Sequence, residues 1–435
     1  MFQTVRNIFK VEDLRRRILF TLAMIVVFRI GSFIPVPNTN KDALHALTEG
    51  AGVFGLLNTF SGGALLNFSI FALGIFPYIT ASIIVQLLTM DVIPKFAQWA
   101  KEGEVGRRKL ARVTRYGTIV LALIQSIALT IGFNTMGANM GMNFINDPNF
   151  FTLALITITL TAGTAFLMWL GERITEHGIG NGISILIFAG IIAGIAPASQ
   201  QIYQSQFLNA GDEIFLSIVK ILIILAVLML IIVGVIFIQQ GVRKIKVQYA
   251  KRVVGRKMYG GQSTYIPMKV NAAGVIPVIF AMSLLIFPST IAQFFPNSSI
   301  SQWVMANVTF NAPLGMVFYV MLIIGFTYFY TFVQINPIQL ADQLKKNGGY
   351  IQGKRPGKVT SQFLTYVMNR ITFAGALFLA AISILPVFFT SLAGLPSSVQ
   401  IGGTSLLIVV GVALETMKTV ESQLIKRHYK GFINK

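Results

Sequence analysis

Residues 214–238 read IFLSIVKILIILAVLMLIIVGVIFI, and residues 239–269 continue QQGVRKIKVQYAKRVVGRKMYGGQSTYIPMK. The first string carries one charge, Lys220, in 25 positions. A helix needs about 20 mostly apolar residues to cross the hydrocarbon core of a bilayer. The second string holds Arg243, Lys244, Lys246, Lys251, Arg252, Arg256, Lys257 and Lys269 and no acid. A lipid-soluble run followed by a cationic block is the pattern of a membrane span entering the cytoplasm.

The same reading, carried outward, finds ten spans: 18–37, 68–90, 116–136, 151–170, 182–197, 214–238, 270–291, 313–335, 371–390 and 404–420. Lys and Arg alternate with them. The segment 1–17 holds 5, loop 91–115 holds 7, 171–181 holds 1, 239–269 holds 8, 336–370 holds 6 and 421–435 holds 4. The opposite loops, 38–67, 137–150, 198–213, 292–312 and 391–403, contain only Lys41. This asymmetry predicts cytoplasmic termini at both ends. The chain is therefore expected to be an all-α membrane protein. Ten spans divide into two halves of five, and an odd number per half makes the halves inverted and pseudo-symmetric. The expected halves are residues 1–200 and 201–435, hinged at loop 198–213.

Composition excludes the alternatives. Of 435 residues, 54% are hydrophobic and 11% charged, whereas soluble domains carry about 25% charged residues. A soluble globule, a disordered chain and a coiled coil all need more charge. The net charge of +20 is mostly the cytoplasmic bias. No cysteine is present, so disulfide and thiolate chemistry are excluded. His45, His177 and His428 are far apart, with no metal-ligand spacing. Glu12 and Asp13 precede the first apolar run, Arg29 interrupts it and no A-x-A site follows. The first span is thus expected to remain in the mature protein.

Polar features inside or beside the spans each admit two readings. The basic loops 239–269 and 336–370 serve either topology and attraction to anionic phospholipid, or docking of a large acidic partner, protein or RNA. Gly353-Lys-Arg-Pro-Gly357 forms a turn that would project Arg355. Gly74 and Pro77 in span 2, Gly274 and Pro277 in span 7, and Pro386 in span 9 are either tolerated kinks or marks of movable walls. Thr80, Gln86, Gln125 and Asn271 are either interhelical hydrogen-bonding groups or the seam of an interface that opens. Arg29 and Lys220 can snorkel. Glu415 and Lys418 sit one turn apart and can pair, so no buried acid chain for a proton- or sodium-coupled carrier is present, and no aspartate lies in any span to form an aspartyl intramembrane protease dyad. Gly178-Ile-Gly-Asn-Gly182 lacks the strand and the Lys-Ser/Thr ending of a phosphate loop and reads as a tight turn. No cofactor is expected, and the chain reads as a conduit rather than an enzyme.

Several strings add specificity: Phe28-Arg-Ile-Gly-Ser-Phe-Ile-Pro35, Phe60-Ser-Gly-Gly-Ala64, Ala72-Leu-Gly-Ile-Phe-Pro-Tyr-Ile-Thr-Ala-Ser-Ile83, Gly106-Arg-Arg-Lys109, Gly178-Ile-Gly-Asn-Gly-Ile-Ser184, Lys269-Val-Asn-Ala-Ala-Gly-Val-Ile-Pro277 and Lys354-Arg-Pro-Gly357. Through these the chain resembles the SecY family, the large subunit of the bacterial protein-conducting channel. The resemblance implies a central pore between the halves, closed outside by a plug near 53–67 (Asn58, Thr59, Phe60, Ser61, Gly62, Gly63, Ala64, Leu65). It implies a pore ring of Ile75, Ile79, Ile187, Ile279 and Ile408, and a lateral gate with Thr80, Gln125 and Asn271. It places partner docking at Arg243, Lys251, Arg252, Arg256, Lys257, Lys354 and Arg355. The expected partners are SecE-type and SecG-type membrane subunits, the SecA motor ATPase, the ribosome, the translocating polypeptide and anionic phospholipid. The expected location is the bacterial plasma membrane.

Overall fold

The computed structural model describes residues 11–40, 58, 61–90, 92–139, 141, 144–204, 214–249, 252–254, 257–259, 263–292, 298–309, 312–393 and 404–433. Most of them are helical. The helices are α1 (Glu12–Gly31), α2 (Phe76–Leu88), α3 (Pro94–Lys101), α4 (Glu104–Asn139), α5 (Phe150–His177), α6 (Gly182–Tyr203) and α7 (Ile214–Gln240). They continue as α8 (Ile276–Ala292), α9 (Ser299–Asn307), α10 (Pro313–Gln334), α11 (Pro337–Lys346), α12 (Lys358–Ala393) and α13 (Thr404–Ile433). Every apolar stretch read from the sequence lies at least partly on one of them. Among the described residues, five helical stretches are long and apolar enough to cross a membrane: Glu104–Thr135, Phe150–His177, Ile218–Gln240, Pro313–Lys346 and Lys358–Leu385. Phe76–Leu88, Gly182–Pro197 and Ile276–Ser289 are apolar but shorter.

The second stretch, read as a span from residue 68, becomes helical only at Phe76. Residues 61–75 are mostly turns. Phe68 (φ 37°) and Gly74 (φ 57°) adopt left-handed backbone there, which no α-helix accommodates. Pro77 lies in the first turn of α2, where its missing N–H costs nothing. Gly274 (φ 67°) and Pro277 open α8 in the same manner. These glycine–proline pairs therefore start helices instead of kinking them. Pro386 does lie within a helix, α12.

The all-helical expectation needs a second correction. The loop after α7 forms β1 (Val242–Tyr249), β2 (Arg252–Val254), β3 (Lys257–Tyr259) and β4 (Ser263–Lys269), and the loop after α11 forms β5 (Gly349–Ile351). Strands β4, β1 and β5 make one antiparallel sheet in that order. Its register pairs Ile245 with Ile266 and Val247 with both Thr264 and Ile351. The missed signal was a period of two: Ile245 and Val247 are buried between exposed Lys244 and Lys246. Their buried face forms a core with Met268, Ala341, Leu344, Ile351 and Leu364. Asn336 caps α11 beneath it, its Oδ1 accepting from the Ile338 N–H at 3.0 Å.

Helix packing places the remaining parts. α2 lies against α4 and α8, α4 against α5, and α5 against α1 and α6. α8 packs on α10 and α10 on α12, while α13 contacts both α6 and α7. The first and last parts of the chain thus meet along α2–α8 and α6–α13. At Gly163 of α5, an added Cβ would stand 1.8 Å from the Ile70 carbonyl oxygen. Only glycine lets the 61–75 segment press against that helix.

Candidate pore, plug and docking surface

The five isoleucines come from four helices and belong to one large apolar core. Ile75 is the residue before α2, and Ile79 sits one turn later, its N–H donating to the Ile75 carbonyl at 3.1 Å. Ile187 comes from α6, Ile279 from the first turn of α8 and Ile408 from the first turns of α13. All five are buried in one apolar cluster, and Ile408 has no exposed surface. Ala64 and Ile191 join the same cluster. Buried branched apolar side chains exclude water and offer no hydrogen-bonding group.

The segment at Asn58–Leu65 closes on itself. The Ser61 hydroxyl donates to the Asn58 carbonyl at 3.1 Å, and the Leu65 N–H donates to Ser61 Oγ at 3.2 Å. The Leu66 N–H donates to Asn58 Oδ1 at 3.1 Å, and the Gly63 N–H to the Asn58 carbonyl at 3.0 Å. These bonds satisfy backbone groups in apolar surroundings, where an unpaired one is costly. Thr59, Phe60 and residues 53–57 lie outside the described residues. Gly62 has φ 68°, and a Cβ on it would stand 2.9 Å from the Gly190 Cα of α6. The Arg29 guanidinium of α1 donates to the Gly62 carbonyl. Sequence reasoning had read Arg29 as a snorkelling side chain.

The root of this segment is held differently. The Val36 N–H donates to the Phe68 carbonyl at 2.9 Å, and the Ile70 N–H to the Ile34 carbonyl at 3.0 Å. The Phe71 ring stacks between Phe28 and Phe166, with centroids 6.1 and 5.9 Å away. Phe68, fully buried, meets Phe144 edge-on at 4.9 Å.

Thr80 belongs to α2, Gln125 to α4 and Asn271 to the turn before α8, three helices that touch one another, and among the described residues no hydrogen bond joins the three side chains. The Thr80 hydroxyl donates to the Phe76 carbonyl of its own helix at 3.0 Å. Asn271 Nδ2 donates to the Gly274 carbonyl at 2.9 Å, which braces the turn into α8. Asn271 Oδ1 is buried and has no partner. Gln125 is half-buried. Polar atoms spent on local carbonyls leave the contact between the helices itself largely apolar, as in Ile79, Ile83, Ile279 and Leu285.

The basic surface is built on the small sheet. Arg243, Lys244 and Lys246 of β1 are exposed, as are Lys354, Arg355 and Lys358 beyond β5. Gly353 (φ 76°) and Gly357 (φ 99°) bracket the turn that carries Arg355. The Thr360 hydroxyl pins that turn by donating to the Arg355 carbonyl at 2.8 Å. The Lys354 ammonium lies 5.5 Å from the Phe363 ring centroid. Arg252 and Lys257 fall on the β2–β3 hairpin; Lys251 and Arg256 lie outside the described residues. The Gly178–Gly182 motif is the expected turn. Gly180 has φ 73°, and Asn181 Oδ1 accepts from the Ile183 N–H at 3.1 Å to cap α6.

Long apolar helices around a buried aliphatic core define a multi-pass α-helical membrane protein. The comparisons make this particular. The SecY family model matches residues 69–417. The protein translocase subunit SecY of Halalkalibacterium halodurans is 60% identical over 434 residues, covering 100% of both chains. That of Bacillus subtilis is 59% identical over 433 residues, again covering 100% of both. The chain belongs to the SecY family. Two solved structures share the fold. A protein-conducting channel superposes with TM-score 0.62 at 17% identity, over 94% of this chain and 93% of that one. Sec61 from the canine ribosome–channel complex gives 0.59 at 16%, over 94% and 93%.

Proposed function

We propose that the chain is a passive protein-conducting channel of the plasma membrane. It moves unfolded secretory chains outward and releases apolar segments sideways into lipid. In this reading ten helices cross the membrane in two inverted halves, residues 1–200 and 201–435, and both termini are cytoplasmic. The Lys and Arg distribution supports that orientation. One observation carries the proposal: isoleucines from both halves and Ala64 of the plug segment share a single buried cluster. A ring of that kind can seal around nothing, around a plug or around a moving peptide, because its contacts are non-directional.

Sideways release belongs to the α2–α8 contact. It is the apolar face along which the halves meet, with Thr80, Gln125 and Asn271 at its margin. Energy comes from partners: a SecA-type motor, the ribosome or the proton motive force. The exposed basic sheet with Arg243, Lys354 and Arg355 is where the cytoplasmic partner docks. SecE-type and SecG-type subunits brace the helices, and anionic phospholipid faces the basic loops. Reconstitution of the chain with its small subunits, motor and a preprotein in vesicles tests the reading. ATP-dependent protection of the preprotein from external protease is expected; no protected product with an active motor present would overturn it.

A further inference from the structure

We infer that Arg29 is the positioning residue that keeps the plug seated, a latch between α1 and the tip of the plug. The inference rests on the plug assignment proposed above. Three observations lead to it. First, the Arg29 guanidinium donates to the Gly62 carbonyl, beside the point where Gly62 abuts the Gly190 backbone. The tip is therefore held where a charged donor and a helix backbone both reach Gly62. Second, the Arg29 guanidinium lies 4.8 Å from the Phe33 ring centroid, which holds the side chain by a cation–π contact. Third, root and tip are held by unlike forces. The root is tied to the segment that follows α1 by two backbone bonds, Val36 to Phe68 and Ile70 to Ile34, and to α1 itself by the Phe28–Phe71 stack. Of the tip's hydrogen bonds, those of Asn58 and Ser61 are internal and travel with it.

Opening draws Asn58 and residues 61–66 out of the isoleucine cluster while Phe68–Phe71 keeps its contacts to the segment after α1. Breaking the Arg29–Gly62 bond and lifting Ala64 out of the cluster are two of the steps. The Asn67 N–H to Gly63, Phe68 N–H to Leu65 and Ser69 N–H to Ala64 carbonyl bonds, at 3.2, 2.9 and 2.9 Å, and the packing of Leu65 with Phe68 yield with them. A charged donor partly buried among apolar side chains makes a stronger bond than a neutral one. Once the tip has left, Arg29 faces the space the tip occupied, where a translocating chain offers its own backbone carbonyls as replacement acceptors.

The test uses the complete channel complex in planar bilayers, without motor or substrate. Arg29→Gln removes the charge and shortens the donor. Gly62→Ala disturbs the same seat from the tip, through its left-handed backbone (φ 68°) and a Cβ 2.9 Å from the Gly190 Cα and 3.5 Å from Arg29 Nη1, with the Arg29 charge retained. Each is expected to raise resting ion conductance on the order of tenfold, as loss of one charge-assisted hydrogen bond predicts. The double variant is expected to leak no more than the worse single one. Arg29→Lys, which retains a cationic donor, should recover most of the seal. A variant that accumulates poorly is replaced by Ala64→Cys labelling, in which an impermeant maleimide reports tip exposure per folded molecule. Deletion of residues 61–65 separates the two ideas. A leak on deletion with a tight Arg29→Gln channel overturns the latch and leaves the plug standing. No leak on deletion overturns both.

Discussion

Val247, in the loop after α7, pairs with Ile351, in the loop after α11, and neither is exposed. Two basic loops that look independent in sequence are therefore one rigid surface. Docking there needs less ordering on binding than two free loops would. Ile351→Ala should loosen the sheet, at a local cost of about 2–5 kcal/mol. Faster hydrogen exchange in Val242–Tyr249, with every positive charge retained, is the expected readout. Unaltered exchange would show that the loops do not depend on each other.

Arg355 sits exposed at the tip of a turn pinned by Thr360. Arg355→Glu should block motor- or ribosome-dependent translocation, because a reversed charge repels an acidic partner. Membrane abundance should be unchanged, since no ion pair among the described residues involves Arg355. Pulse-chase export assays alongside immunoblots check both halves. Normal export would remove Arg355 from the docking surface.

In the proposed pore ring, isoleucines would act by shape and by repelling water. Replacing Ile79, Ile187 and Ile408 together by serine should wet the constriction and raise resting conductance in bilayers. A single Ile408→Ala should also destabilise the fold, by roughly 2–5 kcal/mol, because the side chain is fully enclosed. Thermal unfolding in detergent measures the second effect. A triple variant as tight as the parent would sink the ring assignment.

The α2–α8 contact can be locked. The chain has no cysteine, so a pair introduced into Phe76–Leu88 and Ile276–Ala292, with Cα atoms about 5–6 Å apart, reports on that contact alone. Oxidation should halt release of apolar segments into lipid, and reduction should restore it. Insertion of a membrane protein substrate is the measurement. Insertion that proceeds in the oxidised state would place the exit elsewhere.

Much of the architecture was legible in local runs of sequence. The string at 214–238 identified a lipid-facing helix unaided, and α7 occupies it. The isoleucines were found through family strings, not through periodicity, because an aliphatic residue lining a pore looks the same as one facing lipid. Arg29 was visible as an oddity, but its partner was not: Gly62 offers only a backbone carbonyl, which every residue has. The alternation of Ile245 and Val247 was readable as a strand and was masked by the density of charge around it.

Sequence alone determined which segments are apolar enough to enter lipid and which loops carry the positive charge. Lipid is a uniform solvent, so the partition of a 20-residue segment depends on that segment's own composition. Tertiary structure alone decided that the second apolar stretch begins as turns and becomes helix at Phe76. It also decided that Val247 meets Ile351 and that Arg29 reaches Gly62. Each of these depends on a close approach between distant parts of the chain, made possible by a missing Cβ or a free backbone group. No local average of hydrophobicity or charge records such a fit.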